Sequence, residues 1–480
     1  MKCRKAILTS LLLLVGVAQV PATIHAQDQQ DDTAPKPAAR ALPPIGLGDD
    51  QETNPVPDLL EPDTRPLTGF QQLALGTTPE RHSYWIPGFS YINTIQSNAL
   101  AQGGGGNWNS ISYVTGNLSV LQNWGGGAQL ALNYSGGGAF STESALGNGQ
   151  FQQLGVTQTF NWRRLQLTIL DRFWHLPQSQ FGLGAGTTLL DPGVAGPLAP
   201  PQPDILNQFT PNQSIFTAFG PQSSNVFGTQ ISYKLTPRTS LTFGGVFGIL
   251  RFTEPGNIGS NEVVASAGYN YQVTANDTLG LSYLFNAYHY IDSPQAIGGH
   301  ALQANYGKKI TGRLALALSG GAELSNFRVP LGADTKTQYL FGTASGSLSY
   351  RFSAGTIGLN YLHGLNGGSG VFLGAKSDQI QGGATRHLSR VWTGNASLGY
   401  ARNTIVASST AGQNSVYDSL YVGAGLARPL GRSTNLMMNY TANIQASNGT
   451  VCAGLNCATS FTAHVISVGL SWHARPFILH

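Results

Sequence analysis

From about residue 88 to the carboxyl end, apolar and polar side chains alternate in runs of about 12 to 14 residues. Successive side chains of an extended strand point to opposite faces, so each run has one apolar and one polar face. Helical spacing fits none of these runs. The clearest lies between Thr434 and Gln445. Thr434, Leu436, Met438, Tyr440, Ala442 and Ile444 share one face, and Asn435, Met437, Asn439, Thr441, Asn443 and Gln445 share the other. Leu279, Leu281, Tyr283 and Phe285 alternate in the same way with Gly280, Ser282 and Asn286. Leu154, Val156 and Phe160 oppose Gln153, Thr157 and Asn161, while Leu165, Leu167 and Ile169 oppose Gln166 and Thr168.

The runs are separated by two kinds of connection. Tight-turn signals fall at Asn161–Arg164, Thr236–Arg238, Ala275–Asp277, Thr311–Arg313, Ser353–Gly355, Ser389–Arg390 and Leu430–Arg432. After the first interval they recur about every 35 to 44 residues, with looser stretches rich in Gly, Ser, Asn and Pro between them. Each period therefore holds two strands, one tight turn and one long loop. A propeller blade of that length would hold four short strands. Here the strands exceed the roughly 9–11 tilted residues that cross a bilayer. Short turns at one end and long loops at the other are the asymmetry of bacterial outer-membrane barrels. The count gives an all-β, antiparallel, up-and-down transmembrane barrel of 18 strands over residues 85–480, with 16 as the fallback. The fallback arises because the first strand, near Phe89 to Ser97, and the one from Leu373 to Thr385 alternate poorly.

Composition agrees. Only 10% of the residues are charged and 61 are Gly, where a soluble domain carries about 25% charge. Beyond residue 20 no run of about 20 apolar residues could form a membrane helix. Residues 1–26 read as a secretory signal peptide, with Lys2, Arg4 and Lys5 before an apolar stretch and Ile24-His25-Ala26 as the cleavage site. Residues 27–84 read as a disordered periplasmic leader rich in Pro and Gln. From Gln27 to Glu80 there are three basic and ten acidic residues, and from Arg81 onward twenty basic and twelve acidic. The leader serves either as a solvated tether or as a docking segment. Cys452 and Cys457 fit a small loop disulfide in an oxidising compartment. No metal or cofactor site is expected: a structural zinc wants four ligands, and the Gly-rich stretches at Gly103–Gly106 and Gly182–Gly186 lack a phosphate-loop setting.

Trp162, Tyr233, Tyr271, Tyr306, Tyr350, Trp392 and Trp472 fall near the tight-turn ends on the apolar faces, as an interfacial aromatic girdle would. Twelve of the twenty basic residues of the body gather at those ends, among them Arg163, Arg164, Lys308, Arg386 and Arg428. They would meet phospholipid phosphates or ring the mouth of a lumen. Their separation by whole hairpins gives no nucleic-acid patch.

Over roughly residues 85–480 the chain resembles Gram-negative outer-membrane β-barrels of the porin-like kind. Ser467-Val468-Gly469-Leu470-Ser471-Trp472 is similar to the signal that such barrels carry on their last strand and present to the outer-membrane assembly machinery. The chain departs from that pattern at Ala474 and in continuing through Arg475 to His480. The resemblance implies a place in the outer membrane, in contact with its lipid and lipopolysaccharide. It also suggests that the long loop from about Gln178 to Ser223, which carries Asp191, Asp204, Ile205-Leu206 and Ile215-Phe216, narrows the barrel. The alternative is a surface loop.

The polar faces would line the lumen through Gln153, Thr157, Asn161, Gln166, Ser282, Asn286, Asn435, Asn439, Thr441, Asn443 and Gln445. Amides and hydroxyls both donate and accept hydrogen bonds. The expected function is passive diffusion of small, mostly neutral hydrophilic solutes. The alternative is an export or assembly barrel, for example for an exopolysaccharide, with the leader docking a periplasmic partner. Catalysis is not expected, since His300, His363 and Ser369 are scattered without a motif that joins them.

Overall fold

The structure, a computed structural model, describes residues 83–97, 108–124, 127–142, 148–176, 221–253, 258–291, 293–331, 333–367, 374–405, 416–447 and 460–479. The signal peptide, nearly all of the leader, most of the loop from 178 to 223, Ser369, Cys452 and Cys457 lie outside these residues.

The strands are β1 (Ser83–Ser97), β2 (Trp108–Trp124), β3 (Ala128–Ser141), β4 (Gly149–Asn161), β5 (Leu165–Leu176) and β6 (Gln222–Lys234). They continue with β7 (Thr239–Phe252), β8 (Ser260–Gln272), β9 (Asp277–Tyr290), β10 (Ala296–Thr311), β11 (Leu314–Leu331) and β12 (Ala333–Phe352). The last are β13 (Gly355–Asn366), β14 (Ala375–His387), β15 (Thr393–Ile405), β16 (Val416–Pro429), β17 (Thr434–Ser447), β18 (Ser460–His473) and the short β19 (Phe477–Leu479). Each of β1–β18 pairs antiparallel with its sequence neighbours, and β1 pairs with β18 from Gly88 opposite His473 to Gln96 opposite Val465. That pairing closes an 18-strand barrel, as the strand count anticipates, and leaves no open edge. The Thr94 and Ser467 hydroxyls meet across the seam at 3.0 Å.

After β18 the ladder is interrupted at 474–476, where Pro476 has no N–H to donate. It resumes as β19, with Phe477 opposite Trp85 and Leu479 opposite Ser83. The Phe477 ring stacks on Trp85 with centroids 4.7 Å apart.

Two connections differ from the sequence expectation. The turn between β2 and β3 was missing from the series of tight turns; its Gly127 has φ 94°, open to glycine at little cost. A Cβ there would also lie 2.3 Å from the Asn161 carbonyl oxygen. Between β11 and β12 the looser stretch does not exist as such: the ladder runs on to Leu331 opposite Ala333, giving strands of 18 and 20 residues.

Inward glycines differ in how closely the neighbouring strand approaches them. A Cβ on Gly321 would sit 1.9 Å from the Leu302 carbonyl oxygen, whereas one on Gly358 would meet nothing within 4 Å. Gly321→Ala is expected to lower barrel stability by about 1–3 kcal/mol, the usual range for overpacking. Gly358→Ala should stay within about 0.5 kcal/mol of the parent. Urea titration of folding in lipid vesicles reads both.

Candidate functional site

Alternation sorts every strand into an outward and an inward face. On β9, Leu279, Leu281 and Tyr283 are exposed, while Ser282, Leu284, Asn286, Tyr288 and Tyr290 are buried. Cross-strand register carries the assignment around the sheet. Leu348 faces Leu359, and Tyr350 faces Ile357, on the outside of β12 and β13. The outward faces are mainly Leu, Ile, Val, Phe, Tyr, Ala and Gly.

The inward wall of β8–β12 carries a connected polar network. Gln303 Nε2 donates to Thr343 Oγ1 at 3.0 Å, and Ser319 Oγ donates to Gln303 Oε1 at 3.1 Å. Asn305 Nδ2 donates to Ser282 Oγ at 3.0 Å. Nearer the loop ends stand two acids that the sequence reading did not single out. Asn286 Nδ2 and Ser325 Oγ each donate to Glu323 Oε1 at 3.1 Å. The Tyr288 hydroxyl donates to Glu262. Both carboxylates are buried, Glu323 at 3% exposure and Glu262 at 7%. Beside them Phe327, Tyr339 and Phe341 pack ring against ring, with centroids 5.4 to 6.3 Å apart. Glu262 is the lone charged residue of β8, and Glu323 stands between Ala322 and Leu324. Only inward alternation at Glu262 and Glu323 could have flagged them.

The inward wall is less uniformly polar than the alternation suggests. Leu170, Val226, Val246, Val264, Leu284 and Ala301 form one buried apolar cluster across β5–β10. A second joins Ile92, Ile111, Tyr113 and Ala139 with Met437. Gly469 makes room there, since a Cβ on it would lie 2.9 Å from Ile92. Inward side chains need only tile a wall, so apolar and polar residues mix along it.

The residues expected along the polar faces take these positions. Asn435, Asn439, Thr441, Asn443 and Gln445 lie on the inward face of β17, and Ser282 and Asn286 on that of β9. Gln153, Thr157 and Asn161 on β4 align with Trp174, Leu170 and Gln166 on β5, on the face of the buried Leu170. The structure brings Ser282 and Asn286 into the β8–β12 network; the β4, β5 and β17 residues lie elsewhere around the wall.

Tyr233, Tyr271, Tyr306, Tyr350 and Trp472 stand outward at the tight-turn ends of their strands, and Trp162 and Trp392 lie in the turns themselves. Tyr306 donates to Asp277 Oδ1 at 2.9 Å, and the Arg428 guanidinium lies 5.4 Å from the Trp392 ring centroid. Trp85 and Trp124 occupy the same end, unnoticed in the sequence because the Trp124 turn itself was missed. Of the histidines considered for catalysis, His300 Nδ1 lies 2.6 Å from the Tyr283 hydroxyl, and His363 pairs with Asp378. Both are outward and on separate parts of the wall.

A closed sheet satisfies every backbone group without an edge, which hydrocarbon demands of any β-structure that crosses it. Its outward face is apolar and carries aromatic residues at one rim, as in bacterial barrels. The chain is an outer-membrane β-barrel.

No protein-family model matches the chain, and no curated protein matches it. Among solved structures it is similar to Acinetobacter baumannii OccAB3, at 11% identity and a TM-score of 0.43, over 82% of this chain and 99% of that one. Pseudomonas aeruginosa OccK2 matches at 14% identity and a TM-score of 0.42, over 81% and 98%. A BenF-like porin from Pseudomonas fluorescens Pf-5 matches at 11% identity and a TM-score of 0.41, over 83% and 98%.

Proposed function

We propose that the barrel is a water-filled channel for passive diffusion of small, mostly neutral hydrophilic solutes across the outer membrane. The observation that carries this reading is the strand number, since barrels of about 16–18 strands leave an aqueous channel. The inward amides and hydroxyls support it further: they offer donors and acceptors to solute hydroxyls at little electrostatic cost. Inward Gln153, Thr157, Asn161, Gln166 and the β17 amides would extend that lining around the wall. The outward aromatics at the tight-turn ends would mark the periplasmic lipid interface, with Lys308, Arg386 and Arg428 toward phospholipid phosphates. The outward histidines meet Tyr283 and Asp378, which supports a reading without catalysis.

Reconstituted into planar bilayers and into sugar-loaded liposomes, the chain is expected to give conductance steps and swelling. Absence of both would reject the channel. Deleting residues 27–80 is expected to leave conductance unchanged. Its loss would favour export dependent on a docked leader.

A further inference from the structure

We propose that the inward face around Glu262 and Glu323 is a binding station for primary ammonium groups, a solute class that deepens the channel reading and rests on it for access. Both carboxylates are buried, and the groups that meet them are neutral: Tyr288 at Glu262, and Asn286 and Ser325 at Glu323. A buried carboxylate without a cation is costly to keep.

The acceptors around the acids have capacity left over. Asn286, at 6% exposure, uses its amide N–H on Glu323, and its Oδ1 has no hydrogen-bond partner. That oxygen is aimed at the same place as the Glu323 carboxylate. A Cβ built on Gly299 would lie 2.2 Å from Asn286 Oδ1 and 2.4 Å from Glu323 Oε1. Two oxygens therefore converge over a residue with no side chain. The Tyr290 hydroxyl, on the same wall and 1% exposed, also lacks a hydrogen-bond partner. What Asn286 Oδ1 and the Glu323 carboxylate require together is more than one N–H donor on one positive centre. A primary ammonium supplies three donors and the charge, whereas a sugar hydroxyl supplies one donor and no charge. The neighbouring faces of Phe327, Tyr339 and Phe341 suit the apolar stem that such a group carries.

The test is isothermal titration of the full chain in detergent with ethylammonium and with tetramethylammonium, which has the same charge but no N–H. Ethylammonium should bind, and tetramethylammonium should bind at least about tenfold more weakly, the usual result of losing charged hydrogen bonds. Glu323→Gln should weaken ethylammonium binding by about tenfold, and Gly299→Ala should do the same by pushing apart the two oxygens that its Cβ would meet. Equal affinity for the two cations in the parent protein would overturn the proposal, and this comparison needs no variant to fold. An unchanged affinity in Glu323→Gln would overturn it too. A chain that binds ethylammonium but passes no current keeps the site and loses the channel. One that conducts sugars but does not bind ethylammonium loses the site and keeps the channel.

Discussion

Leu359→Arg is expected to destabilise the folded barrel in lipid vesicles by about 1–4 kcal/mol, the range for a basic side chain facing hydrocarbon between the interface and the bilayer midplane. Leu359 lies on the outward face of β13 between Ile357 and Tyr361, all three more than 40% exposed in the isolated chain. Its neighbour Gly358 points the other way, into open space. Gly358→Arg should therefore cost far less stability. It should appear instead as a shift of ion preference toward anions, as fixed charge in a pore does. Urea titration in vesicles measures the first effect and reversal potential under a salt gradient the second. If Gly358→Arg proves the more destabilising of the two, the inside and outside of the barrel have been exchanged.

Removing β1 is expected to abolish the barrel outright. A chain lacking residues 27–92 loses most of the strand that pairs with both β2 and β18. Closure by the remaining strands is not a matter of shrinking the circle. β1 runs antiparallel to both neighbours, so β2 and β18 run parallel to each other. Their direct pairing would need a parallel seam that no other part of this sheet uses. Left unpaired, two rows of backbone N–H and C=O groups would face lipid, at several kcal/mol for each unsatisfied group. The shift between folded and heated bands on a denaturing gel, together with protease protection, should vanish in this deletion. Both should survive deletion of residues 27–80, which ends before Ser83. Retention of a folded band without β1 would refute the closure described here.

The fold was legible because lipid writes a simple code: an outward Leu or Tyr at every second position, as in Leu279, Leu281 and Tyr283, has no alternative explanation in a helix. The strand count was legible because turns such as Thr236–Arg238 recur with the hairpins. Where neither signal operates, reading fails. The turn residue Gly127 hides in a glycine run, and the overlong β11–β12 hairpin follows pairing that the alternation between Thr311 and Ser353 did not reveal. The candidate site was the least legible part. Glu262 and Glu323 are 61 residues apart in the sequence. What relates them is register, Glu262 opposite Tyr288 and Glu323 opposite Ala301 on the far side of β9 and β10. Sequence periodicity tells which face a residue takes but not which residues of other strands stand beside it. The mixed inner wall escaped for a related reason, because Leu170 and Val246 are individually unremarkable and become a cluster only through six adjacent strands.

The short β19 has a practical consequence. It stitches Phe477–Leu479 onto Ser83–Trp85, so the last few residues occupy the corner from which the amino-terminal region departs. An affinity tag or fluorescent fusion placed after His480 would be carried at that same corner, beside Ser83. Labels meant to leave this corner undisturbed belong instead at the opposite ends of the strands, beyond Ile405 of β15 or before Val416 of β16.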